Sequence, residues 1–210
     1  MCDHLDLSTR SIHLDFHKTP TAQSSTIISE AELDSYRYTH PYMYKRHLTD
    51  EIIQKFDIGY DRERQCLTFP IKDLYGNVVF VARRSVNSKF FILPEDKEKP
   101  IYLAYMFTSG QYKKAVICES FLNALTCWKF GIPAMALIGT GSYKQIEILQ
   151  RLPVRHYVLA LDPDEAGARG IARIKNNLRG KFLSTYIMPD THSDLNDLDD
   201  KILQLKERRI

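Results

Sequence analysis

From Lys114 onward the chain alternates short apolar runs with amphipathic segments, and this alternation constrains the fold more than any other feature of its 210 residues. Ala115 to Cys118, Ala134 to Ile138, His156 to Leu161 and Phe182 to Ile187 have the length and apolar content of buried strands. Between them, Ser120 to Phe130 (ended by Gly131), Tyr143 to Arg151 and Glu165 to Leu178 carry helical spacing, and Asp197 to Glu207 predicts a last helix. Strands separated by helices of this length form βαβ units, hence an α/β fold with a parallel sheet flanked by helices on both faces.

The first half reads differently. Residues 1–28 are rich in Ser and Thr, broken at Lys18-Thr19-Pro20, and hold no lasting apolar period, which predicts a flexible arm. Ser29 is an N-cap candidate, and two helices are expected from there to Phe56, parted near His40-Pro41 because proline disfavours helix at the residue before it. Leu33, Tyr36, Tyr42, Leu48, Ile52, Ile53 and Phe56 are their core candidates. Cys66 to Ile71, a turn at Asp73-Leu74-Tyr75-Gly76-Asn77, and Val78 to Ala82 predict a β-hairpin. The expected organisation is therefore the arm, a smaller α+β basic subdomain over 29–110, and the α/β domain over 111–210.

Composition, 44% hydrophobic and 26% charged, is that of an ordinary globular chain. No run approaches the roughly 18 apolar residues a membrane span needs, and the N-terminus lacks the basic-then-apolar order of a signal peptide, so a cytoplasmic protein with no membrane partner is expected. Cys2, Cys66, Cys118 and Cys127 are scattered and form no CxxC pair; Cys2, His4, His13 and His17 match no standard zinc spacing, and no zinc is expected. Net charge is only +3, but its distribution is uneven. Arg62, Arg64, Lys72, Arg83, Arg84, Lys89, Lys97 and Lys99 fall in the middle, while Asp190, Asp194, Asp197, Asp199 and Asp200 crowd near the end. A basic track beside an acidic pocket suits an enzyme that holds a polyanion and a metal ion together.

In an open parallel sheet, ligands bind outside the carboxyl ends of the strands. Glu119 directly follows the first predicted strand, Asp162 and Asp164 the third, and Asp194 and Asn196 lie in the loop after the fourth. Carboxylates gathered this closely repel one another unless protons or cations intervene. Mg²⁺ binds through one or two carboxylates together with substrate phosphates, so this loose acidic set suits it better than Zn²⁺. Two such ions would stabilise attacking and leaving oxygens in a phosphoryl displacement. Each acidic group also reads more simply as a helix start: Asp162-Pro163-Asp164-Glu165 as a capping turn, Ser193-Asp194-Leu195-Asn196-Asp197 as a cap of the last helix.

Ile117-Cys118-Glu119, Leu161-Asp162-Pro163-Asp164-Glu165-Ala166-Gly167 and Ser193-Asp194-Leu195-Asn196-Asp197, with the Gly139-Thr140-Gly141 turn, resemble in order and spacing the acidic stations of a TOPRIM domain, the module shared by topoisomerases, bacterial-type primases and some nucleases. Upstream, Phe56-Asp57-Ile58-Gly59-Tyr60, Leu67 to Asp73, Gly76-Asn77-Val78, Arg83-Arg84 and Ser88-Lys89-Phe90-Phe91 resemble the basic N-terminal subdomain of the bacterial (DnaG-like) DNA primase catalytic core. The resemblance covers roughly Leu48 to Lys201 and fits a compact version, as from a phage or mobile element.

It implies a nucleotidyltransferase of DNA replication: a DNA-directed RNA polymerase that makes short primers on single-stranded DNA from ribonucleoside triphosphates with Mg²⁺ or Mn²⁺. It implies metal binding by Asp162, Asp164 and Asp194, with Glu119 as a further ligand or acid-base group. Asn196, which stands where larger primases usually carry a second acid, is by the same resemblance a further candidate at the metal site. Arg83, Arg84 and Lys89, then Arg62, Arg64 and Lys72, would hold template phosphates or the incoming triphosphate. Neither the zinc module nor the helicase-docking part of the larger primases is evident, which points to a replicative helicase and a separate zinc-binding or initiation factor as partners. A TOPRIM nuclease, or a non-catalytic TOPRIM module that binds single-stranded DNA or a helicase, are the competing readings.

Overall fold

The computed structural model describes residues 27–88, 90–93, 100–189 and 194–210. The expected arm falls, but for its last two residues, outside them, as do Lys89, Lys97, Lys99, Asp190 and Ser193.

The chain enters through three short helices, α1 (Glu30–Asp34), α2 (Pro41–Lys45) and α3 (Asp50–Lys55), where two were expected. The extra boundary has a local cause. His47 adopts a positive φ of 62° just after α2, and Thr49 then caps α3 by accepting the N–H of Ile52. Ser29 caps α1 and Pro41 is the first residue of α2, as their chemistry predicts.

Strands β1 (Gly59–Asp61), β2 (Cys66–Lys72), β3 (Val78–Ser85) and β4 (Phe91–Ile92) form an antiparallel sheet in chain order. The β2–β3 turn closes because the Asp73 carboxylate accepts the N–H groups of Tyr75 and Asn77, both at 2.9 Å, while Gly76 takes φ 94°. Alternation gives this sheet two faces. Leu67, Phe69 and Ile71 point one way and are completely buried; Val78 and Val81 point the other and pack with Leu33 beneath α1.

The second sheet contains β5 (Lys114–Cys118), β6 (Ala134–Ala136), β7 (His156–Ala160), β8 (Phe182–Tyr186) and β9 (Glu207–Arg209), in the order β6-β5-β7-β8-β9. The first four are mutually parallel and are joined by α4 (Phe121–Lys129), α5 (Tyr143–Arg151) and α6 (Glu165–Asn177). The expected last helix is corrected. Only α7 (Leu195–Leu198) is α-helical; a 3₁₀ stretch, Asp199–Gln204, follows, and β9 then pairs antiparallel to β8. Asp199 takes φ 48°, outside the right-handed helical region, and this breaks the α-helix after Leu198. As a strand, Glu207 instead accepts hydrogen bonds from Lys114 and Ser184.

The two sheets share one apolar core. Phe121, the first residue of α4, stacks on Phe69 of β2 with centroids 4.8 Å apart and meets Tyr102 edge-on at 4.9 Å. Tyr102 also exchanges backbone hydrogen bonds with Ala136, of 2.8 and 3.1 Å, so the connecting segment lies along the outer edge of β6. Among the described residues no helix is long and apolar enough to cross a membrane.

Candidate active site

The chain leaves β5 through α4 toward β6, and leaves β7 through α6 toward β8. Sheet order therefore reverses between the adjacent strands β5 and β7, which opens the crevice where α/β sheets bind ligands. Cys118 and Ala160 pair in register at the ends of these strands, so Glu119 and Asp162, one and two residues further on, emerge side by side. Asp164 and Asp194 begin the next two helices at the same edge.

Both helix-start readings hold locally. Asp164 accepts the N–H of Gly167 at 2.7 Å to cap α6, and Asp194 accepts the N–H of Asp197 at 2.9 Å to cap α7, each through Oδ1. A cap and a charged ligand are compatible roles for a carboxylate with two oxygens. Gly167 is required for this arrangement: a Cβ there would come within 2.0 Å of the Asp162 carbonyl oxygen. On the other flank, Ile138 takes φ 56°, a strained conformation for a β-branched residue, and leads into the Gly139-Thr140-Gly141 turn, whose first N–H bonds the Glu119 carbonyl.

The acids feel one another. Burial, and then the charges of Glu119, Asp194 and Asp164, push the Asp162 carboxyl up to about 6. Burial also raises Glu119; the Asp162 backbone N–H works against this shift and Asp164 adds to it. Among the described residues, none of the four acids forms an ion pair, and Glu119 Oε2 is buried with no hydrogen-bond partner. No three of the described His, Cys, Asp and Glu side chains form a closed metal cage. The residues nonetheless fit a hard divalent cation: an orphaned carboxylate oxygen, converging negative charge, and an open edge that substrate phosphates can complete.

Asn196 is brought to this edge in sequence but turns away from it. Its side chain is fully buried, donating to the Arg46 carbonyl and to Thr126 Oγ1, both at 2.9 Å. Beyond it, Asp197 lies 3.9 Å from Arg46, and Asp199 pairs with Lys129 at 2.6 Å.

The basic residues separate by face. Arg83 and Arg84 are neighbours on β3 and project to opposite sides. Arg83 faces α1 with all of its nitrogens engaged, on Asp61 at 2.8 Å, the Val81 carbonyl at 3.0 Å and Tyr36 Oη at 2.7 Å. Arg84 shares the face of Leu67, set against the rings of Tyr42 and Phe91, with its guanidinium on the Tyr42 hydroxyl. Phe91 in turn lies 6.0 Å from Phe121, so Arg84 sits one aromatic layer from the helix that follows Glu119. Arg62, stacked 3.5 Å over Tyr38, and Arg64 lie in the β1–β2 turn at this end of the sheet. Lys72 is at the other end, over Tyr105.

Sequence reasoning missed Asn123. It lies in the first turn of α4, is 1% exposed, and donates from Nδ2 to Asp162 Oδ1 over 3.4 Å. The available signal was an amide four residues after Glu119 in an otherwise apolar helix start, Phe121-Leu122-Asn123-Ala124-Leu125.

Residues 116–201 match the Toprim-like family. The chain is 27% identical to a DNA primase of Halalkalibacterium halodurans over 62% of its own length and 24% of that protein's. It is 24% identical to a DNA primase of Haemophilus influenzae over 71% of its length and 34% of that protein's. The chain thus spans about a quarter to a third of the curated relatives it matches. Its fold is that of a solved DnaG primase catalytic domain bound to single-stranded DNA, with a TM-score of 0.67 at 17% identity, covering 84% of this chain and 77% of the other.

Proposed function

We propose that this chain, which carries a Toprim-like domain within the fold of a DNA primase catalytic core, synthesises short RNA primers on single-stranded DNA by metal-dependent nucleotidyl transfer. One observation carries the reading: carboxylates with no ion-pair partner among the described residues gather at the crevice between β5 and β7, and the helix that follows Glu119 packs through Phe121 against the Phe91 ring beside Arg84. Substrates of the proposed reaction are a single-stranded DNA template and ribonucleoside triphosphates. The relatives named DNA primase support this choice.

Asp162, Asp164 and Asp194 would hold Mg²⁺ or Mn²⁺, with Glu119 as a further ligand or proton acceptor. The bound ion supplies charge neutralisation on the phosphates of the incoming nucleotide and on the departing pyrophosphate. Glu119, whose carboxyl burial raises from its ordinary value, would accept the proton of the attacking 3′-hydroxyl. Arg84, immobilised between Tyr42 and Phe91, presents its charge to a phosphate without further loss of side-chain freedom. Arg62 and Arg64 extend the phosphate contact to the template, while sequence is read by base pairing between the strands. Arg83, its donors already engaged, supports the sheet instead.

The test mixes the purified chain with mixed-sequence single-stranded DNA, labelled ribonucleoside triphosphates and Mg²⁺ or Mn²⁺, beside Asp162→Ala. Template-dependent labelled oligomers that vanish in the variant are expected. Extension of a preannealed primer without products made from scratch would place initiation on a separate zinc-binding factor or a replicative helicase. Template degradation would replace the proposal with nuclease chemistry.

A further inference from the structure

A buried polar chain lies behind the acids. Asn123 and Asn196 are 1% and 0% exposed, and an asparagine is a poor helix former placed where apolar neighbours fill the core. Asn123 Oδ1 accepts the backbone N–H of Asn196 at 3.1 Å, and Nδ2 donates to Asp162 Oδ1 at 3.4 Å. The polarity of this link is fixed: a backbone N–H only donates, so the carbonyl end of Asn123 must face Asn196 and its NH₂ must face Asp162.

Asn196 is constrained in the same way. The Thr126 hydroxyl gives its proton to the Leu122 carbonyl at 2.9 Å and therefore accepts from Asn196 Nδ2, which also donates to the Arg46 carbonyl. A carboxylate at 123 would face Asp162, and one at 196 would face the Arg46 carbonyl, acceptor against acceptor in both cases. Where the sequence resemblance anticipates an acid, the Asn196 NH₂ thus meets two acceptors, while its Oδ1 is buried with no hydrogen-bond partner among the described residues.

We propose that Asn123 is a positioning residue that orients the Asp162 carboxylate toward a divalent cation and ties it, through Asn196, to the turn carrying Asp194. The inference rests on the reading of the crevice as a cation site. Groups of this kind behind a ligand fix its rotamer, and their loss typically weakens metal binding by about 10-fold or more.

The experiment titrates Mn²⁺ into the metal-free full chain, followed by electron paramagnetic resonance, for wild type, Asn123→Leu and Tyr157→Phe. Asn123→Leu keeps similar bulk without the donor; Tyr157→Phe removes a buried hydrogen bond to the Leu149 carbonyl elsewhere and controls for general loosening. Affinity is expected to fall about 10-fold in Asn123→Leu and to hold in Tyr157→Phe. Equal affinity in wild type and Asn123→Leu, or an equal loss in Tyr157→Phe, overturns the positioning role. Wild type that binds no Mn²⁺ overturns the cation reading itself, which separates the two failures. Should Asn123→Leu fail to fold, the side-chain amide resonance of Asn123 in the otherwise native chain decides: a shift on Asp162→Asn supports the link, and an unmoved resonance overturns it.

Discussion

The two sheets handle charge in opposite ways. On the antiparallel sheet, Arg83 is neutralised by Asp61 in a pair whose side chains are 12% and 7% exposed, and it serves the fold. At the β5–β7 crevice, Glu119, Asp162, Asp164 and Asp194 have no basic partner among the described residues. Charges that match inside the protein stabilise it, whereas charges left unmatched await something from outside. The contrast separates scaffold from site more sharply than charge content does, because Arg83 and Arg84 are adjacent and identical in type.

The comparison is broken most directly by Asp162→Ala. Template-dependent nucleotide incorporation should fall ~10³-fold or more, since the loss of a cation ligand removes several kcal/mol of charge stabilisation, while circular dichroism stays native. Arg83→Ala should do the reverse. It strands the buried Asp61, so stability should drop by ~3 kcal/mol and the melting temperature by roughly 10 °C. A melting point within 2 °C or so of wild type would show that the pair is not structural.

Acidity supplies a third probe, in metal-free protein. The Asp162 carboxyl is raised from its ordinary 3.8 to about 6, so the folded state binds this proton more tightly than the unfolded chain does. Its contribution to stability is full below about pH 3.8 and is lost as pH rises through about 6, a change of at most ~3 kcal/mol. Asp162→Asn should flatten that slope in a series of melting curves and raise the melting temperature at pH 7. A slope unchanged by the substitution would assign it to other groups. The smallest effect belongs to Arg84→Ala, which should weaken single-stranded DNA binding and lower the slope of log affinity against log salt by about one. A wild-type salt slope in that variant would remove Arg84 from the phosphate contacts.

The strands and helices from Lys114 to Tyr186 were legible because each βαβ unit repeats one apolar grammar, and strand ends then place Glu119 and Asp162 without side-chain detail. The last helix was not legible, because neither the backbone break at Asp199 nor the open edge of β8, which β9 covers, shows in its apolar spacing. The opposite faces of Arg83 and Arg84 were hidden for another reason. Two consecutive arginines look alike until the register with Thr68 and Leu67 tells which one meets the core. Asn123 was invisible because its meaning comes from Asp162, 39 residues away.

Phe121 has one more consequence. It starts the helix behind Glu119 and is also wedged between Phe69 and Tyr102 of the other unit, so the spacing between acids and arginine is set by a ring of fixed thickness. Such a spacer has no soft direction: opening the gap would mean unstacking aromatics from a shared interior. The two sheets should therefore melt as one calorimetric transition, with no clamshell motion of one against the other.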